Sequence, residues 1–167
     1  MARDQAPAGI VVEIVDLRSI PFYDGDVEAT GDPPAVSAFK ARILAADALL
    51  MATPEYNGAV PGLLQNAIDW ASRPRGSAAL GEKLVAVTGA TPGGGGTTRA
   101  QHSLRQTLVN AGARVLPLPE LLVPHATDRL GSSGPPTDLA LADDLRQILV
   151  SLRATAEAGR REESRAA

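Results

Sequence analysis

The sequence predicts an α/β protein, with a parallel sheet and helices on both of its faces. Two observations carry this prediction. Short apolar runs alternate with segments of helical periodicity, and the two most unusual loops each follow an apolar run directly. A chain of 167 residues favours one domain, which we place at residues 1–155, followed by a frayed tail at 156–167.

The first half of the chain alternates strand and helix twice. A run rich in β-branched residues, GIVVEIVDL at 9–17, predicts a strand, and a loop with several turn signals follows it. A helix is expected at 34–47, with one apolar face formed by Val36, Phe39, Ile43 and Leu44. ALLMAT at 48–53 is a short strand of the buried type, and a second helix at 61–72 carries an apolar stripe of Leu64, Ile68 and Ala71.

The second half repeats the pattern. KLVAVTGA at 83–90 predicts a strand, and a glycine-rich loop leads from it into a helix at 99–112, with Gly112 at its carboxyl end. ARVLPL at 113–118 predicts a fourth strand. After a proline-rich stretch, a long helix is expected at 137–159, with Thr137 or Asp138 as its N-cap.

Composition excludes several classes of protein. The net charge of −3 and the lack of a basic stripe argue against nucleic acid as a partner. The absence of cysteine excludes disulfides and thiol chemistry, and the isolated His102 and His125 make a metal site unexpected. No apolar run approaches the roughly 20 residues that span a bilayer, and no signal-peptide core is present. We therefore expect a cytoplasmic protein without membrane partners.

Two loops, at 53–61 and 90–98, are expected at one edge of the sheet. Each follows a predicted strand, and the carboxyl ends of parallel strands meet at the edge where such sheets bind ligands. ATPGGGGTT, at 90–98, offers backbone N–H groups free of side chains and opens a helix, which suits an anionic or polar ligand. It matches neither the Walker loop nor the dinucleotide fingerprint, so a flexible connection is the alternative.

The loop TPEYNGAVPG at 53–62 is the more specific signal. Prolines stiffen both of its ends, and Asn57-Gly58 is a turn signal. Such a loop suits the polar edge of a planar heteroaromatic ring, with Tyr56 alongside. A rigid turn with an exposed tyrosine is the alternative.

TPEYNGAVPGLLQNAIDWASRP, at 53–74, closely resembles the signature of the NADPH-dependent FMN reductase family, whose fold is flavodoxin-like. Further stretches fit the family in the same order, so that the resemblance covers residues 11–152; they lie at 21–28, 80–117 and 119–123. The resemblance implies FMN as cofactor. It implies ring contacts, largely through backbone, from Pro54, Glu55, Tyr56, Asn57 and Gly58, and a second polar edge formed by Thr91, Pro92, Gly93 and Gly94.

The same resemblance implies an NAD(P)H-dependent FMN reductase or quinone-type oxidoreductase, with NADPH or NADH as co-substrate and a flavin, quinone or similar acceptor. A homodimer or homotetramer is implied, with Trp70 either near its interface or in the core. The flavin carries the chemistry, so no catalytic residue is assigned. Glu55 is read as a loop-orienting acceptor rather than an acid, and Arg73 or Arg75 as either a contact to NADPH or solvated.

One part of the family pattern has no counterpart here. Family members open with a strand and a phosphate loop of the form Gly-Ser-x-Arg-x-x-Ser-x-Asn. In the strand order 2-1-3-4-5 that strand separates those at 9–17 and 48–53, so exposed strand edges or a re-paired sheet are expected. A late recorded start, a short paralogue that binds FMN poorly, and a strand supplied by a partner chain are all open. A non-catalytic dimerisation module and an FMN carrier therefore remain as alternatives to the reductase.

Overall fold

The computed structural model describes residues 2–130 and 138–166. Its strands are β1 (Leu49–Ala52), β2 (Leu84–Ala90), β3 (Arg114–Val115) and β4 (Leu121–Val123). Its helices are α1 (Gly25–Thr30), α2 (Pro34–Ala45), α3 (Gly62–Ala71), α4 (Thr98–Asn110), α5 (Ala126–Leu130) and α6 (Leu139–Ala166).

All strand pairs in the described sheet are parallel, which confirms the predicted fold class. β2 is the central strand. One side of it pairs with β1, from Leu49 opposite Val85 to Ala52 opposite Thr88. The other side pairs first with β3 and then with β4, so these two short strands share one edge of β2. The carboxyl ends of β1, β2 and β4 consequently open at the same edge of the sheet.

The core lies on both faces of β2, because successive side chains of a strand point to opposite faces. Val85 and Val87 pack on one face against α2, α3 and α4, in a cluster that includes Ile43, Ile68, Leu104 and Leu108. Leu84 and Ala86 pack on the other face against α6, in a cluster that includes Leu141, Leu145 and Ile148. A parallel strand covered in this way on both faces explains the near-continuous apolar sequence of β2.

Helix α3 also holds the segment before α1. The indole N–H of Trp70 donates to the Pro21 carbonyl oxygen at 2.9 Å, and the Asn66 side-chain amide donates to the same oxygen at 2.8 Å. The Asn66 side-chain oxygen accepts from the Tyr23 backbone N–H at 2.7 Å. Trp70 is fully buried, so within this chain it is a core residue rather than an exposed interface residue.

The strand predicted at 9–17 is wrong: residues 10–17 form no regular element. Val11 is 96% exposed and Ile14 is 66% exposed. A strand persists only where a neighbour satisfies its backbone groups, and nothing in the described part of the chain pairs with this segment. Within residues 2–130 and 138–166, β1 has β2 as its one ladder partner, so its outer edge is unpaired, as the resemblance led us to expect.

The structure differs from the sequence prediction at three further points. The strand predicted at 113–118 is reduced to the two residues of β3, and β4, α1 and α5 were not predicted. Pro117 and Pro119 lie between β3 and β4, and proline cannot donate to a ladder. Leu44 was placed on the apolar face of α2, but it is 64% exposed because Ile43 takes the core position beside it.

Helix ends follow the sequence signals closely. Gly112 adopts the left-handed conformation after α4, with φ of 84°, as a glycine at that position does in a helix stop. The Asp138 carboxylate accepts from the Leu141 backbone N–H at 3.0 Å, which confirms it as a capping residue, and Thr137 lies outside the described residues. Helix α6 is the exception, because it continues to Ala166, past the end predicted at residue 159. The frayed tail from residue 156 stays a prediction.

Candidate functional site

Three loops leave the carboxyl ends of neighbouring parallel strands. The first loop is 53–61 after β1, the glycine loop is 91–97 after β2, and the third loop is 124–125 after β4. Every FMN contact predicted from the sequence lies on the first loop or the glycine loop. In the structure both loops approach Gly89 of β2, and the first loop also bonds to the start of α4, directly after the glycine loop. The third loop meets the glycine loop from the other side of β2, where the His125 N–H donates to the Gly93 carbonyl oxygen.

The bases of the first loop and the glycine loop cross over Gly89 of β2. A Cβ atom on Gly89 would lie 2.1 Å from the Thr53 carbonyl oxygen and 2.3 Å from the Thr97 hydroxyl oxygen. Both threonines are fully buried, and the Thr53 N–H donates to the Thr88 carbonyl oxygen at 2.9 Å. Only glycine fits where a backbone oxygen of one loop and a buried side chain of the other approach the strand this closely, so Gly89 is needed for both loops to reach these positions.

The Glu55 carboxylate ties the first loop to the start of α4. One of its oxygens accepts from the backbone N–H groups of Arg99 and Ala100, at 3.0 and 3.1 Å. The other accepts from the Arg99 guanidinium, with Nε at 2.8 Å and Nη2 at 2.5 Å. Thr97, at the N-cap position of α4, makes no side-chain cap, so Glu55 satisfies helix N–H groups that lack partners within the helix.

This environment favours the ionised form of Glu55. The hydrogen bond from the Ala100 N–H lowers the pKa of the Glu55 carboxyl most, partial burial opposes that effect, and the Arg99 guanidinium lowers it further. The side chain of Glu55 is 9% exposed, and Arg99 covers it. The carboxylate is therefore engaged by protein groups and holds the first loop against α4. This agrees with the role that we favoured from the sequence, an acceptor that orients the loop rather than an acid.

The tip of the first loop is a tight turn. The Tyr56 N–H donates to the Ala59 carbonyl oxygen at 3.2 Å, and the reverse bond measures 3.0 Å. Asn57 and Gly58 between them have positive φ angles of 52° and 75°, the signature of a type I′ turn. This confirms the predicted Asn-Gly turn. Tyr56 is 64% exposed, so this aromatic residue lies at the surface of the loop.

The glycine loop is anchored by hydrogen bonds at Thr91, packs closely against Leu122 at Gly96, and is open at Gly95. The Thr91 N–H donates to the Val123 carbonyl oxygen at 3.0 Å, and the Ala126 N–H donates to the Thr91 carbonyl oxygen at 2.9 Å. Gly96 has φ of 57°, and a Cβ atom there would lie 3.0 Å from Leu122. Nothing lies within 4 Å of the corresponding position on Gly95. Rigid backbone with free space suits a flat ligand rich in hydrogen-bond acceptors.

Backbone donors are available on both loops. In the described part of the chain, the N–H groups of Gly94 and Gly95 donate to no other residue. The same holds for the N–H groups of Glu55 and Asn57 on the first loop. The polar edge of an isoalloxazine ring presents carbonyl oxygens and a ring nitrogen, so the residues present fit the FMN that the resemblance implies.

Sequence reasoning missed three residues of this site. Arg99 gave no signal because its partner Glu55 lies 44 residues earlier. Gly89 resembles any glycine in a strand until the neighbouring loops are placed. His125 lies on the third loop, and its position at this edge of the sheet could not be inferred because β4 was not predicted.

Other candidates lie elsewhere. The Arg73 guanidinium stands over the Tyr23 ring, 5.8 Å from its centroid. His102 is exposed on α4. Within the described residues, no helix is long and apolar enough to cross a membrane, and no three potential metal ligands cluster together.

Comparison with known proteins gives consistent matches. A family model described as NADPH-dependent FMN reductase matches residues 1–128. An NAD(P)H-dependent FMN reductase of Pseudomonas aeruginosa is 45% identical over 147 residues, 88% of this chain and 79% of that protein. A quinone reductase of Pseudomonas putida is 40% identical over 129 residues, 77% of this chain and 69% of that protein.

Among solved structures, the flavoenzyme NAD(P)H:(acceptor) oxidoreductase FerB from Paracoccus denitrificans aligns with a TM-score of 0.84. It is 31% identical, and the alignment covers 94% of this chain and 86% of FerB.

Proposed function

The chain belongs to the NADPH-dependent FMN reductase family, and from that membership we propose that its first loop and glycine loop together hold the isoalloxazine ring of FMN. The protein is a flavin-dependent NAD(P)H oxidoreductase with a flavodoxin-like fold. The observation that carries the proposed site is the pairing of two rigid loops with free backbone N–H groups at one sheet edge.

The residues of this chain bind and orient rather than react. When bound, FMN supplies the electron transfer between the nicotinamide and the acceptor. Pro54, Glu55, Tyr56, Asn57 and Gly58 would contact the ring along the first loop, with Glu55 acting through its backbone because its carboxylate is engaged by Arg99. The second polar edge would rest on the glycine loop, at Thr91, Pro92, Gly93 and Gly94.

A quinone is the acceptor class that we propose for this site. Relatives that share 35–45% of their residues with this chain are named FMN reductases and quinone oxidoreductases, and a flat quinone suits the same open edge as a nicotinamide ring. We further propose a homo-oligomer in the cytoplasm, where NAD(P)H is supplied. Leu63 on α3 and Phe22 in the segment before α1, which are both exposed, are candidate contacts between copies.

The test is an FMN titration of the purified chain, followed by quenching of flavin fluorescence, and then NAD(P)H oxidation with 1,4-benzoquinone. Saturable binding at micromolar or lower concentration, with quinone-dependent oxidation, is expected. The test variant is Asn57→Pro, which cannot adopt the positive φ of the turn and should weaken FMN binding. Binding without oxidation would indicate an FMN carrier, and failure to bind FMN would exclude the proposed site.

A further inference from the structure

The third loop places a histidine at the candidate site in an unusual backbone conformation. His125 has φ of 51°, in the left-handed region that few residues other than glycine adopt. Its N–H donates to the Gly93 carbonyl oxygen at 3.1 Å, and its carbonyl oxygen accepts from Asp128 and Arg129 at 3.1 and 3.3 Å. Backbone strain of this kind persists where the surroundings hold it, and it concentrates at ligand sites.

The imidazole of His125 borders the open part of the glycine loop. Its Cε1 and Nε2 atoms both lie 3.8 Å from the position of a Cβ atom on Gly94. The residue is exposed, and within the described part of the chain its ring nitrogens form no hydrogen bond. None of the residues 91–97 is ionisable, so this imidazole brings a polar side chain to a stretch that otherwise offers only backbone and hydroxyl groups.

We propose that His125 contacts bound FMN as a hydrogen-bond donor and favours its reduced form. This inference rests on the proposed function. An imidazole carries at least one N–H donor in either protonation state. Reduction places negative charge on the flavin ring, and a hydrogen bond to an ionised acceptor is roughly twice as strong as one between neutral groups. A donor beside the ring thus stabilises the reduced cofactor more than the oxidised one.

The test compares the midpoint potential of FMN bound to the wild type and to His125→Gly. Glycine adopts the left-handed conformation freely, so this variant removes the side chain and keeps the backbone. We expect the ratio of affinities for reduced and oxidised FMN to fall about tenfold, which for two electrons is a shift of about 30 mV to a more negative potential. His125→Asn, which also tolerates this conformation, should fall between the two.

The matched control is His102→Gln, which changes the other histidine of the chain, on the exposed side of α4. It should leave the potential unchanged. A purely structural role for His125 would weaken both forms of FMN equally, so an unchanged potential in His125→Gly with FMN still bound overturns the inference. If the wild type binds no FMN, the proposed function fails first and this inference fails with it.

Discussion

Replacing Gly89 by alanine should damage the site more than its size suggests. The added Cβ atom would lie 2.1 Å from the Thr53 carbonyl oxygen, and 3.4 Å marks the start of ordinary van der Waals contact. The Thr53 carbonyl oxygen and the Thr97 side chain must therefore move away from Gly89 by about 1 Å, a displacement large enough to misplace the groups that the two loops hold. Neighbouring backbone and a fully buried threonine cannot move aside cheaply.

Overpacking of this kind lowers the free energy of unfolding by about 1–3 kcal/mol, and we expect FMN affinity to fall at least tenfold. Urea denaturation followed by circular dichroism measures the first quantity, and flavin fluorescence quenching measures the second. Gly62→Ala is the matched control, since nothing lies within 4 Å of its Cβ position, and it should be neutral or slightly stabilising. If Gly89→Ala keeps wild-type stability and FMN affinity, the close approach of the two loops to Gly89 does not determine the geometry of the site.

Three other variants test the site and its support. Glu55→Gln should weaken FMN binding in a fluorescence titration. The pKa of Glu55 is lowered on folding, so the bonds of its carboxylate to Arg99 and Ala100 contribute to stability above the ordinary glutamate range, and that contribution is lost as pH falls through the lowered value. The variant should lack this part of the acid sensitivity in denaturation curves, and an unchanged acid profile would contradict a stabilising role for the Glu55 carboxylate. Trp70→Phe removes the donor to the Pro21 carbonyl oxygen and should cost about 1 kcal/mol in urea denaturation, whereas no loss would mean that the Asn66 amide alone suffices. Leu104→Ala, at a fully buried position of α4, should cost about 2–5 kcal/mol by thermal unfolding, and Val109→Ala on the same helix, 56% exposed, should cost much less.

The sequence predicted the elements whose signals are local. The helices α2, α3 and α4 and the strands β1 and β2 lie within a few residues of their predicted bounds, because helical periodicity, prolines and the Gly112 stop are properties of neighbouring residues. The segment at 9–17 has the composition of a strand, but strand formation depends on a partner, which composition does not show.

Contacts between distant residues escaped prediction for the same reason. The sequence left two roles open for Glu55 because its partner Arg99 is distant in the chain. The sequence likewise could not show that Thr91 of the glycine-rich loop bonds to Val123 and Ala126, and the role of that loop as a ligand site stays a prediction. β4 is three residues long and follows two prolines, so it carries little periodicity. Missing it concealed His125, although the first loop and the glycine loop were placed at the correct edge of the sheet.

The central position of β2 has a consequence for the dynamics of the protein. Every ladder of the described sheet includes β2, so separating any pair of strands exposes backbone groups of β2. Amide hydrogens along β1, β3 and β4 should then exchange with solvent by a shared opening, with protection that tracks global unfolding rather than three separate local rates. The three loops of the site follow β1, β2 and β4 directly. Their relative positions therefore persist only while these strands stay paired with β2.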